Sequence, residues 1–397
     1  MSDNTRKVGL GKEISTLLKT NIRDYMMYIV LVAIVIFFAV KTNGAFVTGN
    51  NISNLFNQAA YVAVLAIGMT VILILKHIDL SVGYVAGFCG AIAAILLQKG
   101  WSFYLVIPTV LLIGLLIGTY QGLLITKIGV PAFVTTLSGM FIFRGLLGVS
   151  TSGSGTIIVK DKTFNSLNNA FIPDFTQEGA LHYLTFAIGI LAVILVIVSQ
   201  IKSRRNKQKY NFHVVSTPIF IFTLVLISTV IMIITMTLAK AQGIPWSAVI
   251  VAVILLVYNF VLTKTKLGRA VYGIGGNDQA AELSGINVKK VTLIAFMAMS
   301  VLAAIAGILY TSRLQSATPT AGNAFEMDAI ASSYIGGVAV SGGVGKVTNT
   351  IIGTLIIMSL TNGMNLMHVD AYMQYIVKGI IFILAVAFDV VTRKRAK

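Results

Sequence analysis

Long apolar stretches recur along the whole chain, and short polar segments separate them. Twelve of these stretches approach the length of about 20 residues that a helix needs to cross a bilayer. They lie at 25–40, 52–75, 78–97, 102–125, 131–150, 183–201, 218–239, 245–262, 291–311, 326–341, 347–367 and 371–391. The pattern predicts an all-α polytopic membrane protein with about 10–12 transmembrane helices.

The apolar stretches are predicted to form one transmembrane domain, 25–391, because no polar stretch is long enough to build a core of its own. A polar segment, 1–24, precedes this domain, and a short basic tail, 392–397, follows it. The stretches 131–150 and 326–341 are short or interrupted by glycine. Each of these two therefore either crosses the membrane or enters it and returns.

Composition agrees with this pattern and excludes several classes of protein. Of the 397 residues 56% are hydrophobic and only 11% are charged, whereas soluble domains carry about 25% charged residues. The chain is therefore not expected to be a soluble enzyme, a disordered chain or a fibrous repeat. Its one cysteine, Cys89, lies in an apolar stretch, which excludes an internal disulfide and a cysteine-based zinc site. No cleavage site follows 25–40, so we expect a first membrane helix there rather than a removable signal.

The distribution of charge predicts the topology. The chain has 30 Lys and Arg against 13 Asp and Glu, a net charge of +17, and the basic residues cluster before 25, in 202–209, in 264–290 and after 391. Since basic flanks stay in the cytoplasm, both termini and the loop 263–290 are predicted inside. The longest outer loop is then 151–182, and few basic residues face outward: Lys41, Lys99, Lys160, Lys162, Lys240 and Arg313. No soluble basic surface is available for nucleic acid.

Motifs for nucleotide binding and catalysis are missing from the sequence. The run Gly342–Lys346 resembles a phosphate-binding loop, but Val340 replaces its first glycine and Val347 replaces its Ser or Thr. The histidines have no metal-site spacing, and neither a catalytic triad nor a carboxylate pair is legible. We therefore predict a non-catalytic chain, and any ATP it uses must be hydrolysed by a partner.

Two polar segments near the predicted cytoplasmic side invite a functional interpretation. Asp79 follows an apolar stretch and either caps the next helix, accepting from the amide of Ser81 or Val82, or forms part of a gate; its spacing also permits an ion pair with Lys76. In the loop 263–290, a short helix is predicted to begin at Asn277 or Asp278, to include 280–283 and to end at Gly285. Such a helix either docks on a cytoplasmic partner or orders the loop, because two turns are not stable alone in water.

Two further segments lie in the last third of the chain. Glu326 and Asp328 begin an apolar stretch, where negative charge suits a helix N-terminus, and Arg313 is a candidate partner for either of them. Arg144, in the middle of 131–150, needs a partner or a water-filled cavity. The amides and aromatics of 361–379 either contact a polyol or join helices together.

Seven short motifs appear in an order that resembles the permease subunits of ribose/xylose-type sugar ABC importers. The resemblance covers nearly the whole chain. The motifs are Ile78–Gly83 (IDLSVG), Gly275–Asn277 with Leu283–Asn287 (GGN and LSGIN), Pro319–Gly322 (PTAG), Asp328–Ala331 (DAIA), Ser341–Gly345 (SGGVG), Asn362–Leu366 (NGMNL) and Ile376–Gly379 (IVKG). The extra apolar pair within 183–239 points to the xylose and multiple-sugar subgroup, since ribose-type members lack this inserted hairpin.

The resemblance implies a fold and a set of partners. The fold is expected to be that of the larger, vitamin B12-type importer permeases, in the inner membrane of a bacterium. The expected partners are a second copy of the chain, an ATPase with two fused nucleotide-binding halves, which would bind the ATP and Mg²⁺, and an extracytoplasmic sugar-binding protein. No cofactor is expected in this chain. The cargo is expected to be a pentose such as xylose, or several sugars.

The resemblance and the polarity of the spans together suggest site residues. The predicted ATPase-coupling residues are Gly275, Gly276, Asn277, Ala280, Ala281, Glu282, Leu283, Ser284, Gly285, Ile286 and Asn287. The predicted residues of the translocation path or gate are Gln58, Asp79, Ser81, Gln121, Tyr334 and Asn362. Three alternatives stay open at this point: an ABC permease for another small polar solute, a proton-coupled secondary sugar transporter, and a membrane enzyme that acts on lipid-linked sugars.

Overall fold

A computed structural model of the chain describes residues 22–153, 155–175, 181–210, 212 and 214–395. Of the predicted N-terminal segment 1–24 only 22–24 are described, and of the predicted tail 392–397 the last two residues lie outside the described residues.

The described chain is almost entirely helical. Its helices are α1 (Ile22–Lys41), α2 (Gly49–Ile74), α3 (Val82–Gln98), α4 (Phe103–Leu123), α5 (Ala132–Thr151), α6 (Lys162–Asn169), α7 (Tyr183–Lys209), α8 (Thr217–Ala239), α9 (Trp246–Lys264), α10 (Lys266–Gly276), α11 (Asp278–Leu283), α12 (Val288–Leu314), α13 (Phe325–Ile335), α14 (Val347–Leu366) and α15 (Ala371–Arg395). A 3₁₀ turn (Ala45–Val47) precedes α2, and a π-helical turn (Leu124–Ile128) extends α4. Two short strands, β1 (Ile157–Ile158) and β2 (Ser316–Ala317), pair antiparallel.

Eight helices in the described part of the chain are long and apolar enough to cross a membrane. They are α2, α4 with its π turn, α5, α7, α8, α9, α12 and α14. Three shorter apolar helices, Met26–Lys41, Val82–Gln98 and Ala371–Ala387, extend this set. Each of the twelve apolar stretches coincides with a helix, so the predicted all-α polytopic fold is confirmed.

The bundle is built around α2, whose apolar window is 100% buried inside the protein. The helices α12, α13, α14 and α9 surround α2, and α12 packs in turn on α3 and α4. Small residues let these backbones approach one another, as is usual for helices that pack in lipid. A Cβ added to Gly118 would lie 2.6 Å from the carbonyl oxygen of Phe296, and one added to Gly114 would lie 2.8 Å from that of Ser300.

The two ends of the bundle are distinguished by their short helices. Asn168 of α6 donates hydrogen bonds to the carbonyls of Asn57 (3.2 Å) and Leu309 (3.0 Å) and so anchors α6 over α2 and α12. We call this end the α6 side. The helices α10 and α11 lie at the other end, the α11 side, where Gly343 N–H donates to the carbonyl of Ile74 at the end of α2 (2.9 Å).

The chain between α12 and α14 crosses the bundle as a half-length helix and an irregular segment. Arg313 donates to Asn54 on the α6 side (3.1 Å), and Gly343 contacts Ile74 on the α11 side. These two contacts lie about 30 Å apart along α2 at 1.5 Å per residue. Only Phe325–Ile335 of the intervening chain is a long helix. The crossing is therefore made by the whole chain from 313 to 343. The predicted stretch 326–341 covers only part of it, and its helix ends six residues early.

The hairpin of α7 and α8 lies at the edge of the bundle. Its inner contact is at Gly49 of α2, where an added Cβ would lie 2.7 Å from the carbonyl of Thr237 and 2.7 Å from the Cβ of Ala241. His182 caps α7 by accepting from the amide of Thr185 (3.2 Å). Most of the hairpin surface faces outward, as the low buried fraction of its windows, 11% for α7 and 6% for α8, shows.

Candidate functional site

The α11 helix has the local structure that the sequence predicts. The side chain of Asn277 caps it by accepting from the amide of Ala280 (3.0 Å). The helix runs over Asp278–Leu283, and Gly285 ends it with a left-handed backbone (φ +83°). Asn287 then caps α12 by accepting from the amide of Lys290 (2.9 Å). These caps hold a two-turn helix as a rigid link between α10 and α12.

Most of the α11 surface is open to solvent. Leu283 is 91% exposed, and Glu282 and Ser284 beside it are also exposed. Ala281 is buried against the bundle, and its carbonyl accepts from the amide of Ile286 (3.0 Å). A large apolar side chain at the tip of a docked helix suits contact with a partner surface.

Behind α11, three segments meet through their backbones at what we call the glycine junction: Ile74, Gly275 and Gly343. A Cβ on Gly275 would collide with the carbonyl oxygen of Ile74 and lie 2.7 Å from the amide nitrogen of Gly343. Around the junction, Tyr272 donates to the carbonyl of Gly345 (2.7 Å), and Lys76 Nζ lies 3.4 Å from the carbonyl of Gly276. The base of α11 is therefore locked to the end of α2 and to the loop that precedes α14.

Close contacts continue from the glycine junction into α13, which precedes the loop that contains Gly343, and into α14, which follows it. A Cβ on Gly336, at the end of α13, would lie 2.7 Å from the Cα of Thr350 in α14. One turn further along α14, Gly353 meets the carbonyl of Ser332. Backbones rather than flexible side chains are therefore in contact from α10 through the end of α2 and the loop to α13 and α14.

A buried polar cluster lies where α3 begins. Asp79 accepts from the amide (2.9 Å) and the hydroxyl (2.6 Å) of Ser81, and Gln121 Nε2 donates to the same hydroxyl (2.9 Å). All three side chains are fully buried. The predicted hydrogen bond from the amide of Ser81 to Asp79 is formed, but Ser81 rather than Asp79 is the N-cap of α3. The ion pair with Lys76 is not formed, since Lys76 reaches Gly276 instead. The second carboxylate oxygen of Asp79 has no hydrogen-bond partner among the described residues.

The remaining path candidates lie apart from this cluster. Gln58 is buried near the α6 side of α2. Asn362 is buried and exchanges hydrogen bonds with Asn51 (2.9 and 3.1 Å). Tyr334 is half-buried and packs on Phe382 with ring centroids 6.1 Å apart. The structure thus brings Asp79, Ser81 and Gln121 together and leaves the other three separate, and the role of all six in transport stays a prediction.

The charged groups of the last third pair differently from the sequence expectation. Asp328 forms an ion pair with Lys378 of α15 (3.0 and 3.1 Å), and Arg313 donates to Asn54. The expected pairing of Arg313 with Glu326 or Asp328 was therefore wrong, because Arg313 lies on the α6 side and both acids lie deeper in the bundle. Glu326 and Asp328 do occupy the first turn of α13, as predicted.

Sequence reasoning singled out Arg144 but missed the two residues that lie beside it, Tyr84 and Asn323. The guanidinium of Arg144 lies 5.6 Å over the ring centroid of Tyr84, and the hydroxyl of Tyr84 lies 3.4 Å from Asn323 Oδ1. Arg144 and Asn323 are exposed. The position of Asn323 directly after the PTAG motif was the one signal in the sequence that could have found it.

A protein-family model matches most of the chain. The model of the branched-chain amino acid transport system permease component matches residues 51–205 and 175–386. Several characterised relatives are similar over nearly their whole length. The xylose transport system permease protein of Escherichia coli strain K12 is 36% identical over 383 residues, which are 96% of this chain and 95% of that protein.

Two further relatives are also named as sugar transport permeases. The xylose transport system permease protein of Haemophilus influenzae is 38% identical over 383 residues, 94% of this chain and 98% of that protein. The ribose import permease protein of Escherichia coli strain K12 is 32% identical over 361 residues, 90% and 92% of the two chains. No solved structure matches the chain, so the expected likeness to vitamin B12-type permeases stays a prediction.

Proposed function

The chain belongs to the family of branched-chain amino acid transport system permease components, and from this premise we propose that it is the membrane subunit of an ATP-driven sugar importer. The cargo we propose is a pentose such as xylose, or several sugars. The observation that carries the proposal is the exposed α11 helix joined by backbone contacts to α2, α13 and α14.

The construction of α11 supports the proposed coupling role. A partner that closes and opens around ATP can move the permease only through a rigid element. The caps at Asn277 and Asn287 make α11 rigid. Leu283 offers that partner an apolar anchor. The glycine junction then transfers the movement to helices that cross the membrane, so that access alternates between the two sides.

The orientation follows from the same assignment. If α11 docks on an ATPase, the α11 side faces the cytoplasm of a bacterial cell and the α6 side faces outward. The basic end of α7, with Arg204, Arg205 and Lys207, then also lies in the cytoplasm, in agreement with the positive-inside rule. With this orientation we expect both chain termini in the cytoplasm, as the clusters of basic residues also predict.

Three partners complete the proposed importer. A second copy of this chain closes one central path between two bundles. An ATPase with two fused nucleotide-binding halves supplies the hydrolysis, and an extracytoplasmic sugar-binding protein delivers the cargo to the α6 side. The names of the relatives, xylose and ribose permeases, support a sugar as the cargo.

The test reconstitutes the chain in proteoliposomes with its candidate ATPase and a binding protein loaded with D-xylose. We expect the loaded binding protein to stimulate ATP hydrolysis and Leu283→Asp to abolish this stimulation. Gln279→Asp adds the same charge to an exposed position of α11 and serves as the matched control, which should keep most of the stimulation.

Two results would overturn the proposal. One is a chain that forms no complex with any ATPase and moves sugar by itself under a proton gradient, which is the behaviour of a secondary transporter. The other is full stimulation in Leu283→Asp, which would remove α11 from the coupling path.

A further inference from the structure

An exposed cation lies at membrane depth on the surface of the bundle. Arg144 is twelve residues from the start of α5 and seven from its end, or about 18 and 10 Å at 1.5 Å per residue. Its side chain is exposed, and within the described residues no carboxylate forms an ion pair with it. The neighbouring glycines Gly145 and Gly148 also open outward, since a Cβ on either would meet nothing within 4 Å.

A non-helical segment is exposed on the same surface. The chain ahead of α13 carries left-handed residues at Gly322 (φ +86°) and Ala324 (φ +63°), and Asn323 between them is exposed. The carbonyl of Gly322 touches Gly83 of α3. Gly83 is the second residue of α3, and one turn later the carbonyl of Ala86 meets Gly307 of α12. Gly307 lies nineteen residues after the start of α12 and seven before its end, or about 28 and 10 Å. The exposed loop is therefore deep in the bundle rather than at its rim.

Tyr84 joins the cation and the loop. It follows Gly83 in α3, its ring lies under the guanidinium of Arg144 (5.6 Å to the centroid), and its hydroxyl is 3.4 Å from the amide oxygen of Asn323. The ring itself is largely buried, with 6% of the residue exposed, so the bundle holds it in place. One fixed aromatic residue thus positions two exposed polar side chains.

Such a surface does not fit against lipid. A charged side chain and an irregular backbone are tolerated at membrane depth only where they line a water-filled cavity or are covered by protein. Both features occur here together and come from different elements, α5 and the loop before α13. This face therefore either lines a water-filled cavity or is covered by another protein surface.

We propose that Arg144, Tyr84 and Asn323 form a subsite for an uncharged, hydroxyl-rich solute on the water-filled path, where a second copy of the chain closes the opposite wall. The inference rests on the proposed function and names a binding site within it. Sugar hydroxyls both donate and accept, and an amide with a phenol offers both roles. The guanidinium adds donors in a fixed fork.

The first experiment tests whether the face is wet and binds sugar. Asn323→Cys is treated with a membrane-impermeant, water-soluble thiol reagent in the assembled transporter, with and without D-xylose. The native Cys89 is fully buried, so we expect it to react slowly with the reagent and to add little to the signal. Leu195→Cys, on the outward face of α7, is the control that lies against lipid. We expect Asn323→Cys to react at least tenfold faster than Leu195→Cys and D-xylose to protect it.

The second experiment measures uptake and ATP hydrolysis on the same variants. We expect Asn323→Ala and Tyr84→Phe to raise the KM for D-xylose uptake about tenfold, while binding-protein-stimulated hydrolysis is kept. Arg144→Lys should retain more uptake than Arg144→Met. Ser152→Ala, exposed at the end of α5, should match the native chain.

The outcomes separate this inference from the proposed function. A native chain that never couples to an ATPase contradicts the proposed function. A coupled transporter in which Asn323→Cys reacts no faster than Leu195→Cys overturns the wet face. Rapid reaction without protection, together with normal uptake by Asn323→Ala, overturns the subsite, and preference for a sugar acid over a neutral sugar overturns the assigned class of solute.

Discussion

The hairpin of α7 and α8 and the bundle around α2 occupy the same membrane but are stabilised in different ways. In α2 the whole apolar window is buried, whereas in α8 only 6% of it is. Lipid satisfies the apolar surface of the hairpin as well as another helix would. The hairpin can therefore be added at the edge without rebuilding the bundle.

The difference also concerns what the glycines contact. At the glycine junction Gly275 meets backbone atoms of two other segments, while the three atoms nearest to a Cβ on Gly189 of the hairpin belong to the Thr235 side chain. The junction lies inside the bundle and cannot open without moving several helices, whereas α7 and α8 lie at the lipid-exposed edge and can move apart. We infer that movement is transmitted through the bundle and that the hairpin follows passively.

The largest effect is expected at Gly275. Gly275→Ala places a Cβ against the carbonyl of Ile74 and should separate α10 from α2, because neither backbone can give way. We expect binding-protein-stimulated ATP hydrolysis to fall at least tenfold while the ATPase still binds. Gly276→Ala is the matched control, since its Cβ would meet nothing within 4 Å. Equal losses in the two variants would contradict the coupling role of the junction.

A smaller effect is expected at the ion pair between α13 and α15. Lys378→Met leaves Asp328 largely buried without its partner, since the two side chains are 18% and 17% exposed. Removing one member of a buried pair costs about 3 kcal/mol of stability. Thermal unfolding in lipid nanodiscs should show this loss, and the double variant Asp328→Asn/Lys378→Met should recover most of it. Additive losses in the double variant would show that the pair does not interact.

The two kinds of glycine contact can be compared directly in stability. Gly189→Ala brings a Cβ within 2.7 Å of the Thr235 Cβ, so α7 has to shift against α8 at the lipid-exposed edge, which should cost about 1 kcal/mol. Gly353→Ala meets the carbonyl of Ser332 and should cost more, about 2–3 kcal/mol. Thermal unfolding measures both, and hydrolysis should stay coupled in Gly189→Ala. A larger loss in the hairpin variant would reverse the comparison.

The smallest effect concerns pH. His77 lies in the linker between α2 and α3, with its ring 5.9 Å from that of Phe296. Burial lowers the pKa of His77, and the negative charge of Asp278 opposes this shift. The unfolded chain therefore binds more protons than the folded chain between the lowered pKa and the ordinary value near 6.5. Stability should fall slightly as the pH drops from 7 to 5, and His77→Gln should flatten this dependence in thermal unfolding.

Much of this fold is predictable from the sequence, because lipid requires long apolar helices and leaves a plain pattern. The boundaries of α11 are predictable as well, since Asn277 and Gly285 have local capping roles. The hydrogen bond that the amide of Ser81 donates to Asp79 is local in the same way.

The features that escaped prediction depend on contacts between distant segments. The end of α13 is set by the packing of Gly336 on Thr350. The ion pair joins Asp328 to a lysine fifty positions later. The helix α6 in the predicted outer loop is anchored by Asn168 on α2 and α12. A pattern of apolar and polar residues carries no information about such pairs.

The half-length helix α13 has a consequence for how the protein is made. Its 11 residues are too few to span a bilayer, and Glu326 and Asp328 each add to the cost of entering one. We therefore do not expect this segment to enter lipid from the insertion machinery by itself. We expect the growing chain to keep it in an aqueous channel until α14 and α15 have been synthesised and Lys378 is available, so that the last third enters the membrane as one preassembled unit.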